Sequence, residues 1–518
     1  QNAPDNRFSL LHMQYGQFIA HDVVSMPAST GDNGSPLNCS PCNSSSVSPD
    51  CMPIQVPDGD KFFPSSQCIR FARALNGQRT IGERRQLNQI SAYLDLSTVY
   101  GADECTARRV RSFENGTLRD FLLHGNVMPK SKSSKQQNPE TCRSSPEFPC
   151  FLVGERRSAI TPGMLTLHTI FLREHNKIAG EMQERRPEWD DEKVFQETRR
   201  ILIAIFQHIT YNEYLPIVIG RQLYESKALR PLSTGYLPSE QASIRLEFNV
   251  AAFRFGHTTV RGDIPRLFNN GTARGSALNL PQHFSYADAH YEHTAGGINS
   301  IIEGQAGCPM MRAGLRMTSS MRNQALAGRS APLGGIDLAA VNIQRGRDVG
   351  LRPYMDYVRT LTRRSPGIGR TTSALRRLYA NMEDVDLYAG ILTERAVPGG
   401  LVGPAAAEII ADQFRNLKVA DRFYYENHVP RTQGFSEDEL AEIRKMTLAR
   451  LVCSNTEGMA TVRRKIFELG TETEYWPATV DNEELKKANK LIVSPPPIQK
   501  SLHGDSIAST VEYKRFYV

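Results

Sequence analysis

Apolar residues recur at three-to-four-residue spacing in three long stretches: "MLTLHTIFLREHNKIAGEM" at 164–182, "VFQETRRILIAIFQHITYNEYL" at 194–215 and "PAAAEIIADQFRNLKVADRFYYEN" at 404–427. That period lines one face of a helix with apolar side chains and predicts three core-facing helices. Strand-like alternation is rare, so the pattern predicts a mainly α protein with long connecting loops and little strand. Two polar stretches read as solvent loops: 29–66, rich in Ser, Pro, Gly and Cys, and 130–149, "KSKSSKQQNPETCRSSPEFP", where protease sensitivity is also expected. The chain has no internal repeat, and its length allows one large domain or two. We place a single large domain over 1–490 and a poorly packed tail over 491–518, past "SPPPIQK" at 494–500.

Composition narrows the class. The net charge of +7 is small for 518 residues, and basic and acidic side chains are interspersed, which argues against a nucleic-acid partner. No apolar run approaches the roughly eighteen residues of a membrane span. Nine cysteines are unevenly spread, with Cys39, Cys42, Cys51 and Cys68 in one loop region and Cys142 and Cys150 in another. Cysteines crowded into loops predict disulfides and a secreted, extracellular protein. A zinc site at Cys39 and Cys42 is the alternative, but no second close pair follows at finger-like spacing. An odd count leaves at least one of Cys105, Cys308 and Cys453 free or paired outside the chain. Sequons at Asn38, Asn43, Asn115 and Asn270 fit secretion. The first residues, "QNAPDNRFSL", carry no basic-then-apolar signal, so a targeting segment is expected to have been removed or never included.

Candidate chemistry begins in "YGQFIAHDVV" at 15–24. On a helix Gln17 and His21 share a face, whereas Asp22 points about 100° away from His21. An imidazole and an amide can then serve one small ligand while the carboxylate holds a cation elsewhere. The plainer reading is a core histidine beside a capping or salt-bridging aspartate. In "SAYLDLS" at 91–97, Ser91, Tyr93, Asp95 and Ser97 occupy every second position. An extended segment would gather their oxygens on one edge, a donor set suited to Ca²⁺, although a half-exposed strand has the same pattern. "AAFRFGHTTV" offers His257 with Arg254 three residues before it, and "AAVNIQRGRD" offers Asn342 and Arg345. An iron-bound histidine needs its second ring nitrogen hydrogen-bonded, and an asparagine oxygen can accept that bond. Arginines beside a porphyrin pair with its propionates. His168, Glu174 and His175 would be the ligands of a metallohydrolase, but the HExxH spacing is missing, and a buried hydrogen-bonding role fits both histidines better.

Together "GQFIAHD", "SAYLDLSTVYG", "LHTIFLREHNKIA", "FRFGHT" and "VNIQRGRD" stand in the order and spacing of the animal haem peroxidases, a resemblance running from about residue 7 to about 465. In character the chain is nearest the invertebrate chorion and peroxinectin-like members. The resemblance implies a mainly α-helical domain around a buried haem, with His21 distal and His257 the proximal iron ligand. Gln17 would line the distal pocket, Arg157 of "GERRSAI" would be the distal arginine, Asn342 would orient His257, and Arg254 and Arg345 would meet the propionates. Asp22, Ser91, Tyr93, Asp95 and Ser97 would bind calcium. The family's disulfides would pair Cys39 with Cys51, Cys42 with Cys68 and Cys142 with Cys150. The implied activity is reduction of hydrogen peroxide, through a ferryl oxidant, at the expense of small phenols, tyrosine or halides.

Some positions depart from the family. Mammalian members attach haem by esters from an aspartate directly before the distal histidine and a glutamate three residues after the distal arginine. Ala20 and Ile160 stand there, and Thr161 replaces the methionine of the sulfonium link in myeloperoxidase. Non-covalent haem b is therefore expected, with phenols, iodide or thiocyanate as donors in preference to chloride. Cyclooxygenases share "EFN" at 247–249 but carry a radical-forming tyrosine where this chain has Arg254, which disfavours fatty-acid oxygenation. Only twenty residues precede His21, so a preceding segment or propeptide is expected. An adhesive role is the alternative: Arg261-Gly262-Asp263 in "VRGDIP" is an integrin-type tripeptide that would engage integrin or extracellular matrix, or else a polar turn after the proximal helix.

Overall fold

The computed structural model describes residues 3–477 apart from 43–46, 79–80, 134–140, 233–234, 269–270, 330–333, 362–371, 428–433, 458, 460 and 471–474. The 491–518 tail and the Asn43 and Asn270 sequons lie outside the described residues. Helix makes up 44% of the chain and strand 11%, so the protein is mainly α as the apolar spacing predicts. All the described sheets are two-stranded ladders.

The chain enters through β1 (Pro4–Ser9), which runs straight into α1 (Leu10–Val23). Most of α1 is buried, including Leu10, Tyr15, Phe18, Ile19, His21 and Asp22, so it is a central helix with no solvent face to spare. Against it pack α2 (Pro162–Arg185) and the short 3₁₀ helix Ala252–Thr259. α2 starts where the rules of helix entry place it. Thr161 is its cap, accepting from the Met164 amide at 3.3 Å, and Pro162 fills the first helical position, where no amide hydrogen is needed. Thr161, conspicuous in the sequence for a missing methionine, thus has a structural role of its own.

Two predicted helices depart from a plain α-helix over their apolar pattern. α3 (Asp191–Ile209) gives way to a π-turn, Thr210–Tyr214, before Leu215–Ile219 resumes the α form. The extra residue per turn rotates Tyr214 onto α1, where it stacks on His12 with ring centroids 4.6 Å apart. β2 (Pro309–Met311) pairs antiparallel with β1, and α4 (Leu338–Asp348) follows, capped by Asp337, which accepts from the amides of Ala339 and Ala340. Another core helix, α5 (Pro404–Val419), stops eight residues short of the 404–427 pattern because Asp421 accepts from the Phe423 amide at 2.8 Å and closes a turn. Side chains of α1, α2, α3 and α5 share one hydrophobic core.

Disulfides join Cys39 to Cys51, Cys42 to Cys68 and Cys142 to Cys150. Cys39 and Cys42 are committed to different bridges, which removes the zinc alternative. Cys105, Cys308 and Cys453 lie outside these bridges. The Asn38 and Asn115 sequons are exposed. No described helix is long and apolar enough to cross a membrane.

Candidate active site

The site is assembled around the C-terminal end of α1. His21 is buried, and burial together with the nearby Arg157 charge holds its imidazole well below the ordinary histidine range, so it is neutral at physiological pH. Gln17, one turn earlier, is tied down: its Oε1 accepts from Gln14 Nε2 at 3.0 Å. Gln14 Oε1 in turn accepts from Thr161 Oγ1 at 3.3 Å and Gln305 Nε2 at 3.2 Å. Sequence reading passed over Gln14, the residue that joins α1 to the start of α2.

Arg157 sits across the end of α1, donating from Nη2 to the carbonyls of Val24 at 2.8 Å and His21 at 3.3 Å. Those carbonyls belong to the last turn of α1 and the residue after it, where helical partners run out, so the guanidinium completes the helix end. Its other partner, missed in the sequence, is Glu155. Arg157 donates through Nε to Glu155 Oε1 at 2.9 Å and through Nη2 to Oε2 at 2.5 Å, and its main-chain amide also bonds Oε1 at 2.8 Å. Burial opposes ionisation of Glu155, but Arg157 prevails and holds the carboxyl at about 2. Ala20 and Ile160, where the mammalian ester carboxylates would stand, are both half-buried.

Asp22 faces away from His21 into residues 95–98. Its Oδ2 accepts from the amides of Asp95 and Leu96, each at 3.2 Å, and its Oδ1 from the Thr98 amide at 3.0 Å, while Ser97 Oγ donates to the Asp22 carbonyl at 3.1 Å. The extended edge expected for 91–97 is not formed. The segment bends around the aspartate and reaches the helix Ser97–Tyr100 through Leu96 in the left-handed region (φ 53°). Ser91 Oγ accepts from the Tyr93 amide at 3.1 Å. Asp22 and Asp95 are both buried and both raised above the ordinary carboxyl range, each by burial first and Asp22 also by the charge of Asp95. Among the described residues no cluster of three or more His, Cys, Asp or Glu could hold a metal, so a cation here would rely on these two carboxylates plus hydroxyl and carbonyl oxygens.

His257 lies on the 3₁₀ helix, 85 residues in sequence from Asn342 on α4, and the two meet at 3.0 Å. The polarity differs from expectation. Asn342 Oδ1 accepts from Arg254 Nη1 at 2.8 Å, and it is Nδ2 that faces His257 Nδ1. Arg254 has only donors, so it claims the amide oxygen. Burial, then Arg254, lowers His257 to about 3, and it too is neutral. Arg254 also donates to the Asn249 carbonyl at 3.0 Å. Arg345 donates to Asp348 at 2.7 Å and to the Ala72 carbonyl at 3.1 Å, and Asp348 additionally binds Arg73.

The other candidates separate cleanly. His175 is a structural histidine, contacting Tyr100 Oη at 2.8 Å and the Gly116 carbonyl at 2.9 Å. His168 is not a match for the predicted hydrogen-bonding role: it is buried against Phe18, and neither ring nitrogen has a hydrogen-bond partner among the described residues. Glu174 accepts from Asn455, so the three do not form a metal centre. In the Arg-Gly-Asp tripeptide Arg261 folds back on Asp263 at 3.0 Å, and Asp263 begins a short strand, so the two charges are spent on each other.

Comparison with known proteins extends this picture to the whole domain. Residues 1–467 match the animal haem peroxidase family model. The chain is 41% identical over 478 residues to Heme peroxidase 2 of Caenorhabditis elegans, covering 88% of this chain and 65% of that protein. It is 35% identical to the chorion peroxidase of Drosophila melanogaster, covering 88% and 58% respectively. The chain thus spans less than two thirds of the length of these relatives. Peroxidase A of Dictyostelium discoideum superposes with a TM-score of 0.75 at 26% identity, covering 90% of this chain and 88% of that one. With a matching family model, extensive identity and a shared fold, the chain belongs to the animal haem peroxidase family.

Proposed function

We propose that this domain is a haem peroxidase that reduces hydrogen peroxide and oxidises small donors, phenols and tyrosine above all, with iodide or thiocyanate as further donors. The observation that carries the reading is the pairing of His257 with Asn342 in the same interior as the neutral His21 and the anchored Arg157. The residues fit a haem. Asn342 is the only residue of α4 that is fully buried, while apolar Leu338, Val341 and Ile343 beside it keep accessible surface that a flat apolar macrocycle would cover. Arg254 and Arg345 are cations within reach of that face by their bonds to Asn342 and Asp348, suited to the macrocycle's carboxylates.

Haem, when bound, supplies the redox chemistry that the side chains lack. His257 would hold the iron through Nε2, which leaves the ring proton on Nδ1, and Asn342 would fix the ring with its amide turned so that Oδ1 accepts from that N–H. For the reaction itself, His21 takes a proton from the near oxygen of peroxide and returns it to the far one, a task that needs the unprotonated imidazole that burial secures. Arg157 stabilises the charge that develops on the departing oxygen. Gln17, held by Gln14, keeps its amide beside His21. Asp22, with Ser91, Tyr93, Asp95 and Ser97, would bind Ca²⁺ and stiffen the end of α1. The three disulfides support an extracellular setting.

The test is reconstitution with haem followed by guaiacol turnover. Wild-type protein is expected to develop a Soret band and peroxidase activity. His21→Ala should keep the band and lose activity by about 10²–10⁴-fold, the usual worth of a general acid–base group. Failure of the wild-type chain to take up haem would refute the reading.

A further inference from the structure

Arg157 is an unusual guanidinium for a pocket that must stabilise charge, because its own charge already has a counterion. Glu155 is two residues away, 6% exposed, and bonds both Nε and Nη2 of Arg157. The remaining bonds of Nη2 go to the carbonyls of Val24 and His21. The two carbonyl contacts fix the guanidinium against the end of α1, the two to Glu155 fix its plane, and Nη1 is the guanidinium nitrogen with no hydrogen bond among the described residues. The Glu155 carboxylate also accepts from the Arg157 main-chain amide, so the turn that presents the arginine is held by the same group.

From this geometry we propose that Glu155 is a positioning and specificity residue. It aims Nη1 of Arg157 at the peroxide side and cancels the arginine's charge, so that the pocket favours neutral peroxide over anions. This rests on the peroxidase reading above. A buried carboxylate paired bidentately with an arginine gives orientation as well as compensation. Removing it leaves a cation in a low-dielectric pocket beside a neutral histidine, where anions bind more tightly than in water. The sign of the effect separates this role from a merely structural one: a slackened pocket binds anions more weakly, an uncompensated arginine more strongly.

The experiment titrates azide and fluoride into haem-loaded wild type, Glu155→Gln, Arg157→Gln and the double variant, reading the shift of the Soret band. Glu155→Gln should bind both anions about tenfold more tightly than wild type, react more slowly with peroxide, and lose the gain in anion affinity when Arg157→Gln is added. Unchanged or weaker anion binding in Glu155→Gln overturns the proposal. If Glu155→Gln does not hold haem, Glu155→Asp decides, because it keeps the charge but shortens the arm. Anion affinity near wild type with slower peroxide reaction supports the proposal, and tighter anion binding overturns it. If wild type takes up no haem, the functional reading falls and the proposal with it; normal haem uptake without the anion effect removes the proposal alone.

Discussion

Asp22, one sequence position from His21, lies beside Asp95 in the interior, with the amides of residues 95, 96 and 98 turned toward the Asp22 carboxylate. Both carboxyls titrate above their ordinary range. A carboxyl raised in the folded state holds its proton more tightly there than in the unfolded chain, so its stability contribution is present below the ordinary carboxyl range near 4 and is lost as pH rises through the raised folded value. Cation-free protein is therefore expected to lose thermal stability from pH 4 upward. If the ionised pair binds Ca²⁺ as proposed, added Ca²⁺ should restore it, by about 2.7 kcal/mol at a hundredfold excess over Kd. Melting curves in chelator and in calcium at pH 5 and pH 7 check this. A calcium-induced rise no larger at pH 7 than at pH 5 would count against the pair as the cation site.

Ala20 and Ile160 offer no carboxylate for an ester. Acidified organic solvent should strip the haem completely from reconstituted, peroxide-treated protein. Colour remaining on the denatured polypeptide would show a covalent link elsewhere.

Gly16 lies where α1 meets the π-turn, and a methyl group there would run into the Tyr214 phenol. Gly16→Ala is expected to destabilise the protein by about 1–3 kcal/mol despite alanine's better helix propensity. Tyr214→Phe in the same chain should recover part of the loss. Denaturant titration of the three variants measures it, and a stabilised Gly16→Ala would show that the contact yields freely.

His168 and His175 are seven residues apart on α2 and predict opposite outcomes. His175→Phe strands the Tyr100 hydroxyl and the Gly116 carbonyl and should cost about 1–3 kcal/mol for each group left unpaired. His168→Leu removes two nitrogens that have no partner and should leave the melting temperature unchanged or raise it. A large loss of stability in His168→Leu would mean that its ring is bonded in solution.

How much of this was legible in the sequence depended on whether a feature is local. Helix α2 followed from its apolar period, and the pairing of Cys142 with Cys150 followed from family resemblance. What escaped was set by partners far along the chain. Nothing between 91 and 97 announces that the segment bends around Asp22 instead of extending, since the cause is a carboxylate some seventy residues earlier. The polarity of Asn342 is decided by Arg254, which an expectation drawn from the histidine alone could not include. Glu155 stood in plain view two residues before Arg157, but only the fold shows that its carboxylate is turned back on the guanidinium.

The join between the two ends of the domain bears on how the protein is made. Ser9, the residue that opens α1, donates its amide to the Phe467 carbonyl and its hydroxyl to the Ile466 carbonyl, while β1 pairs with residues 309–311. At translation rates of about 5–20 residues per second, residue 467 leaves the ribosome roughly half a minute to a minute and a half after residue 9. Until residues 308–311 emerge the helix bearing His21 lacks its β1 pairing and the Cys308 carbonyl, and until 466 and 467 follow Ser9 lacks its remaining partners. That join thus waits on residues made more than four hundred positions later, and the emerging chain, with its apolar helix uncovered, is the stage at which the domain depends most on chaperones.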